Sequence, residues 1–180
     1  MITIIDGLQL SGKTTLIEEI NKVFNIKTLK FNFSYYSKLF NINKFKIGPF
    51  QLGKDLSMLY FLKNQKEDII IDRGIFSTIY YSLLYKRLKK KDILTLFDVL
   101  KKEYINYKFI FIIKINTKNE DNIRNKKDGY DKLNKKINQK IINFIKKECF
   151  IRNIDFKIFE NDFNKSIREN SIILLKEILK

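Results

Sequence analysis

Short runs of β-branched and aromatic residues alternate along this chain with longer segments whose apolar positions recur at helical spacing. Met1 to Ile5 reads as a strand, Gly12 to Phe24 as a helix, and Lys27 to Phe31 as a second strand. The aromatic-rich stretch Phe33 to Phe50 reads as loop or short helix around Gly48 and Pro49, residues that punctuate regular structure. Lys54 to Lys63 has helical character. Asp68 to Asp72, DIIID, is the cleanest buried strand, because an unbroken apolar run of that length suits a strand covered on both faces. A helix at Ser77 to Leu88 follows, then another opened by Asp92 as N-cap and running to Tyr104. KFIFIIKI, Lys108 to Ile115, is a strand, after which Thr117 to Asp131 turns polar and charged. A basic helix at Leu133 to Lys147, a strand at Phe156 to Phe159 and a helix from Lys165 to Leu179 complete the pattern.

Strands interleaved with helices predict an α/β fold, a five-stranded parallel sheet flanked by helices in a three-layer, doubly wound sandwich. The 180 residues suit one domain, 1–180, with no repeat or linker to mark a boundary. The start of the chain lacks the basic flank and long apolar core of a signal peptide, and no apolar run reaches membrane-spanning length. The expectation is a soluble, cytoplasmic protein with no membrane partner.

Composition narrows the chemistry. A single cysteine, Cys149, excludes an internal disulfide framework and a multi-cysteine metal site, and the absence of histidine removes the usual general base. Chemistry must rest on Lys, Arg, Asp, Glu and hydroxyl groups. The net charge of +16 invites a nucleic-acid reading, since clustered cations bind phosphate backbones. Lys, Ile, Asn, Phe and Tyr abound while Trp, His and Ala are absent, a bias that an AT-rich coding sequence would produce. The charge is therefore read as favouring anionic substrates, and nucleic acid as a disfavoured partner.

One segment carries specific chemistry. Gly7-Leu8-Gln9-Leu10-Ser11-Gly12-Lys13-Thr14 satisfies G-x-x-x-x-G-K-[ST] at every fixed position and lies between the first strand and a helix. Its glycines let the backbone wrap so that successive N–H groups face phosphate oxygens, and the helix N-terminus adds partial positive charge. Lys13 is positioned for the β- and γ-phosphates of ATP and Thr14 for Mg²⁺; Gly7, Leu10, Ser11, Gly12 and Thr15 complete the ATP-binding set. The fold class is then that of a P-loop NTPase, nucleotide kinase-like. In Asp68 to Gly74, DIIIDRG, an apolar strand delivers Asp72 and Arg73 to its C-terminal end, where open α/β sheets bind ligands. Asp72 is a second metal-site candidate with Thr14, and Arg73 a phosphate grip.

Four segments together resemble the thymidylate kinase family and, more loosely, the deoxynucleoside kinases and the nucleotide kinases of phages: IDGLQLSGKTT (Ile5 to Thr15), SMLYFLKNQ (Ser57 to Gln65), IIIDRGIFSTIYY (Ile69 to Tyr81) and DFKIFENDFNKSI (Asp155 to Ile167). The resemblance implies that Arg73 binds the acceptor phosphate, that Tyr60 stacks on the acceptor base and that Phe76 and Tyr81 line the same pocket. Dimers are common in that family, which leaves a homodimer open, and a phage-type member would work in the host cytoplasm. The chain departs from the pattern in two places. Gln9 and Leu10 stand where thymidylate kinases usually carry an acidic residue and a glycine, and Asn64 stands where an arginine usually follows the stacking aromatic. Both changes bear on which nucleotide is accepted. Between the KFIFIIKI strand and the long helix, 117–131 occupies the place of a basic lid, with Arg124 favoured over Lys126 and Lys127 because a guanidinium fork matches phosphate oxygens.

The expected activity is transfer of the γ-phosphoryl of Mg-ATP to a (deoxy)nucleoside monophosphate, dTMP first, with Lys13, Asp72, Arg73 and Arg124 as catalytic residues. The acceptor cleft would be lined by Gln9, Phe33, Tyr36, Tyr60, Phe61, Asn64, Arg73, Phe76 and Tyr81. A deoxynucleoside kinase is the near alternative, and it would need a carboxylate beside the sugar hydroxyl. From another class stand a polynucleotide end kinase or a nucleic-acid-binding P-loop ATPase, with the basic helix as its backbone-tracking surface. A non-catalytic relative is a third.

Overall fold

In a computed structural model of the protein, residues 2–8, 11–24, 26–30, 47–63, 65, 67–104, 106–115 and 135–179 are described. Its strands are β1 (Ile2–Gly7), β2 (Lys27–Lys30), β3 (Ile69–Asp72), β4 (Tyr107–Ile115) and β5 (Phe156–Asp162). They form one sheet in the order β2-β3-β1-β4-β5, and every pairing is parallel. Around it lie α1 (Lys13–Phe24), α2 (Ile47–Leu62), α3 (Ile75–Leu84), α4 (Lys90–Glu103), α5 (Lys135–Ile151) and α6 (Ile167–Leu179). The predicted α/β architecture stands. No helix among the described residues is long and apolar enough to cross a membrane.

Side chains alternate across a strand, so consecutive isoleucines feed two different cores. In β3, Ile69 and Ile71 pack with Met58, Leu59, Phe76, Phe97 and Ile145 on one face, while Ile70 joins Leu16, Ile17, Ile20, Leu174 and Ile178 on the other. Phe109 and Phe111 of β4 likewise serve the first face, and Ile110 and Ile112 the second. The helices α2 to α5 thus cover one side and α1 with α6 the other. Away from the strand ends near α1, Lys108 is buried at the start of β4, and its Nζ donates to the carbonyls of Ile178 (2.9 Å) and Glu177 (3.4 Å) at the end of α6. The negative end of the helix dipole stabilises that cation.

Several boundaries differ from the sequence expectations, each for a local reason. Helix α2 begins at Ile47 instead of Lys54. Pro49 falls in its first turn, where the missing N–H would have no intrahelical partner in any case. The residue before α4 is Lys89, in extended conformation, so Asp92 is not the N-cap; it sits in the first turn, where its charge still complements the helix dipole. Phe76, expected to line the acceptor pocket, is a core residue at 0% exposure, its ring 4.9 Å from Phe109 and 4.7 Å from Phe156. The aromatic stretch at 33–46 and the candidate lid at 117–131 lie outside the described residues.

Truncating Phe76 to alanine would open a cavity at the meeting point of α3, β4 and β5. Phe76→Ala is expected to lower unfolding stability by about 3–5 kcal/mol in urea titrations, and an unchanged midpoint would place the ring outside the core.

Candidate active site

The strand order makes the C-terminal ends of β1 and β3 neighbours, with Ile5 opposite Asp72, and the chain leaves the sheet there in two loops that face each other. The first loop follows Gly7, whose φ is +146° and whose Cβ, were there one, would lie 2.2 Å from the Ile112 carbonyl oxygen. Only glycine fits so close to β4. The Leu8 N–H donates to that same oxygen at 3.1 Å, and the Ser11 N–H donates to Leu8 O at 3.3 Å, closing the turn. The first helical bond of α1 runs from the Leu16 N–H to Gly12 O (3.0 Å), which leaves the N–H groups of Lys13, Thr14 and Thr15 without intrahelical acceptors. Gly12, at φ +79°, is held against β5 by Asn161, whose Nδ2 donates to Ser11 O at 2.8 Å.

Lys13 folds back into this loop. Its Nζ donates to the carbonyl oxygens of Gly7 (3.2 Å) and Leu8 and to Ser11 Oγ (3.2 Å). Burial, and next the positive charge of Arg73, depress its pKa to about 8, against the opposing pull of Asp6 and Asp72. A lysine held out of water beside a second cation is a setting that a bound anion would relieve.

The second loop supplies the carboxylate. Asp72 is buried; Thr14 Oγ1 donates to its Oδ2 at 2.9 Å, and its Oδ1 has no hydrogen-bond partner among the described residues. A hydroxyl and a buried, half-satisfied carboxylate are oxygen donors of the kind a hard divalent cation takes, so Thr14 and Asp72 fit Mg²⁺. No cluster of three or more His, Cys, Asp or Glu occurs among the described residues, so such an ion would have to complete its shell with water and phosphate oxygens. Arg73, next in the chain, is exposed and adopts φ +80°, a conformation strained for a residue with a side chain. Its N–H donates to Ile5 O at 2.9 Å.

Asp6 secures the turn that holds Arg73. Its Oδ1 accepts from the Gly74 N–H (2.8 Å) and from Ser77 Oγ, and its Oδ2 accepts from the Phe76 N–H (2.9 Å). The carboxylate therefore caps α3 from a different strand, in place of Gly74, which has no side chain to do so. This is why the helix starts at Ile75 instead of Ser77.

The parallel topology that carries this site superposes on solved proteins over nearly the whole chain. Deoxyadenosine kinase from M. mycoides with bound products superposes at a TM-score of 0.59 with 17% identity, covering 99% of each chain. Thymidylate kinase from Ehrlichia chaffeensis superposes at 0.57 with 16% identity, covering 100% of this chain and 98% of that one. This chain has the fold of the P-loop nucleotide kinases. In sequence, a putative thymidylate kinase of Acidianus bottle-shaped virus is 36% identical over 93 residues, 50% of this chain. The chain spans about half the length of that relative, 53%. No protein-family model matches. The resemblance read from the sequence thus holds over half the chain in sequence and over nearly all of it in fold.

Around the P-loop, the structure brings together Gly7, Ser11, Gly12, Lys13, Thr14, Asp72 and Arg73 as expected from the two motifs. Thr15 is exposed on α1. Tyr60 and Phe61 are 69% and 61% exposed on α2, away from the core contacts of Met58, Leu59 and Leu62. Tyr81 is half-buried, edge-on to Tyr80 and stacked on Tyr85 at 6.1 Å. Gln9, Leu10, Phe33, Tyr36, Asn64 and Arg124 lie outside the described residues. Sequence reasoning missed Asn161 and the capping roles of Asp6 and Ser77, which depend on contacts between distant segments. It also missed Asp55 of α2, a buried carboxylate that accepts from Thr78 Oγ1, pairs with Lys54 Nζ at 2.8 Å, and has its pKa raised by burial.

The depressed pKa of Lys13 has a measurable sign. Above about 8 the free protein's ammonium deprotonates, and a phosphate bound beside it would restore the charge, so binding should take up a proton. In calorimetric titrations with Mg-ATP at pH about 8.5 the heat should depend on the buffer's ionisation enthalpy, and Lys13→Met should abolish that dependence. Heat independent of buffer in the wild type would contradict the assignment.

Proposed function

We propose that this protein is a nucleotide kinase that transfers the γ-phosphoryl group of Mg-ATP to a (deoxy)nucleoside monophosphate, dTMP being the first acceptor to test. The observation that carries the reading is the hydrogen bond from Thr14 to Asp72, with the second Asp72 oxygen unpartnered among the described residues, directly at the N-terminus of α1. The amides that open α1 would hold the β- and γ-phosphates, and Lys13 would leave its carbonyl partners to reach them. Bound Mg²⁺, held by Thr14 and Asp72, would offset the negative charge on the phosphate oxygens. Arg73, at the strained end of β3, would grip the acceptor phosphate, and Arg124 would approach from the lid. Positioning and charge neutralisation are the main contributions this reaction class needs, because the phosphoryl group passes in line through a loose transition state.

Acceptor choice turns on Asp6. A nucleoside hydroxyl needs a base; the Asp6 carboxylate before the loop is engaged by two backbone N–H groups and the Ser77 hydroxyl, and Asp72, with Thr14, would be taken up by the metal. That occupation supports a monophosphate acceptor, whose own oxygen is already anionic, over an unphosphorylated nucleoside. The kinase names of the viral relative and of the two fold neighbours agree with phosphoryl transfer to a nucleoside or nucleotide.

Phosphoryl transfer from labelled ATP across the natural nucleosides and their monophosphates is the decisive assay. Monophosphates should be preferred, and Arg73→Ala should raise the KM for a monophosphate by about 30-fold or more with little change in KM for ATP. A panel in which no acceptor outperforms water would refute the proposal.

A further inference from the structure

We propose that Asn161 is a positioning residue for the phosphate-binding loop, setting the direction in which the Gly12 amide points. The inference rests on the reading of residues 7–14 as that loop. Asn161 lies on β5, which is separated from β1 by β4, and its side chain crosses above β4 to reach the turn before α1. The amide is buried, and its Nδ2 donates to Ser11 O at 2.8 Å.

A trans peptide is planar, and its carbonyl and N–H point in opposite directions. The carbonyl of Ser11 and the N–H of Gly12 belong to one such plane. Fixing the carbonyl on Asn161 therefore fixes the Gly12 N–H on the opposite side of the peptide, away from β5. Gly12 has φ +79°, and its missing Cβ would lie 2.5 Å from Asn161 Nδ2, so the glycine and the asparagine each occupy space that the other leaves. Without the Asn161 donor, this peptide could rotate and present its carbonyl oxygen to the phosphate. An oxygen there would repel the anion that the N–H attracts.

Asn161 is itself tied down. It continues the strand into Asp162, whose N–H donates to Asn170 Oδ1 at 3.2 Å, while Asn170 Nδ2 donates back to Asp162 O at 2.8 Å. Asn170 belongs to α6, which packs on α1. The strand end, the last helix and the loop are thus connected through one pair of side-chain amides.

The test uses the full chain, labelled with ¹⁵N and titrated with Mg-ATP, in wild type and in Asn161→Ala, Asn161→Asp and Lys13→Ala. In the wild type the Gly12 amide resonance should move downfield on binding. Asn161→Ala should bind about tenfold more weakly, and the downfield shift should be lost. Asn161→Asp preserves shape but turns an acceptor toward Ser11 O. It should bind more weakly still at neutral pH and recover toward the wild-type value, measured at the same pH, as acid protonates the carboxyl and restores a donor. Should the alanine variant fail to fold, the aspartate variant decides the same question. Affinity within twofold of wild type in both variants, with the Gly12 shift retained, would overturn the role of Asn161. A Lys13→Ala protein that binds Mg-ATP as the wild type does would instead overturn the phosphate-loop reading beneath it, and the role of Asn161 with it.

Discussion

One carboxylate joins the two halves of the site. Asp6 stands near the end of the central strand of the sheet, and by accepting the amides that open α3 it fixes the geometry of the turn after β3 relative to the turn after β1. Both turns use uncommon backbone: two glycines at positive φ flank one, and the other contains an arginine in a conformation that side chains avoid. A strained residue persists when its surroundings leave it no choice, and here the surroundings are the Gly74 amide on Asp6 and the Arg73 amide on Ile5. The capping interaction therefore has two effects. It satisfies a helix end that would otherwise be buried without acceptors, and it fixes the backbone turn that carries Arg73.

Electrostatics then give the arrangement its direction. Lys13 resides among carbonyl oxygens with a weakened hold on its proton, and Arg73 beside it weakens that hold further. Asp72 opposes them with one oxygen bonded to Thr14 and one free among the described residues. Such a set is incomplete as it stands. A polyanion with a divalent cation would satisfy the lysine, the amides at the head of α1 and the open carboxylate oxygen together, which is why phosphate chemistry is the economical reading of all three.

How much of this was legible in the sequence depended on whether the deciding contacts were local. The phosphate loop was, because its glycines, lysine and threonine act within eight consecutive positions. The DIIID strand was too, since its apolar run can be buried only between layers. Phe76 was misplaced because its motif puts it one turn from Asp72 in sequence, whereas the helix phase set by Asp6 turns its ring into the core against Phe109 and Phe156. Asn161 gave no signal at all: an asparagine near the end of a strand is ordinary, and its meaning lies in a contact with Ser11 across 150 positions. Asp92 misled by type, since an aspartate before an apolar run is a good N-cap, yet the helix had already begun at Lys90.

The buried ammonium of Lys108 ties β4 to the last helix, since its acceptors lie at the end of α6. Its better acceptor, the Ile178 carbonyl, lies 70 positions further along the chain, so the strand is synthesised well before the group that hydrogen-bonds its ammonium. Until α6 arrives, β4 can close its face of the sheet only by trapping an uncompensated charge, which is costly. Synthesis should accordingly pass through a stage in which the sheet's second face stays open and wet, exposed to chaperones, and final compaction should await the docking of one helix.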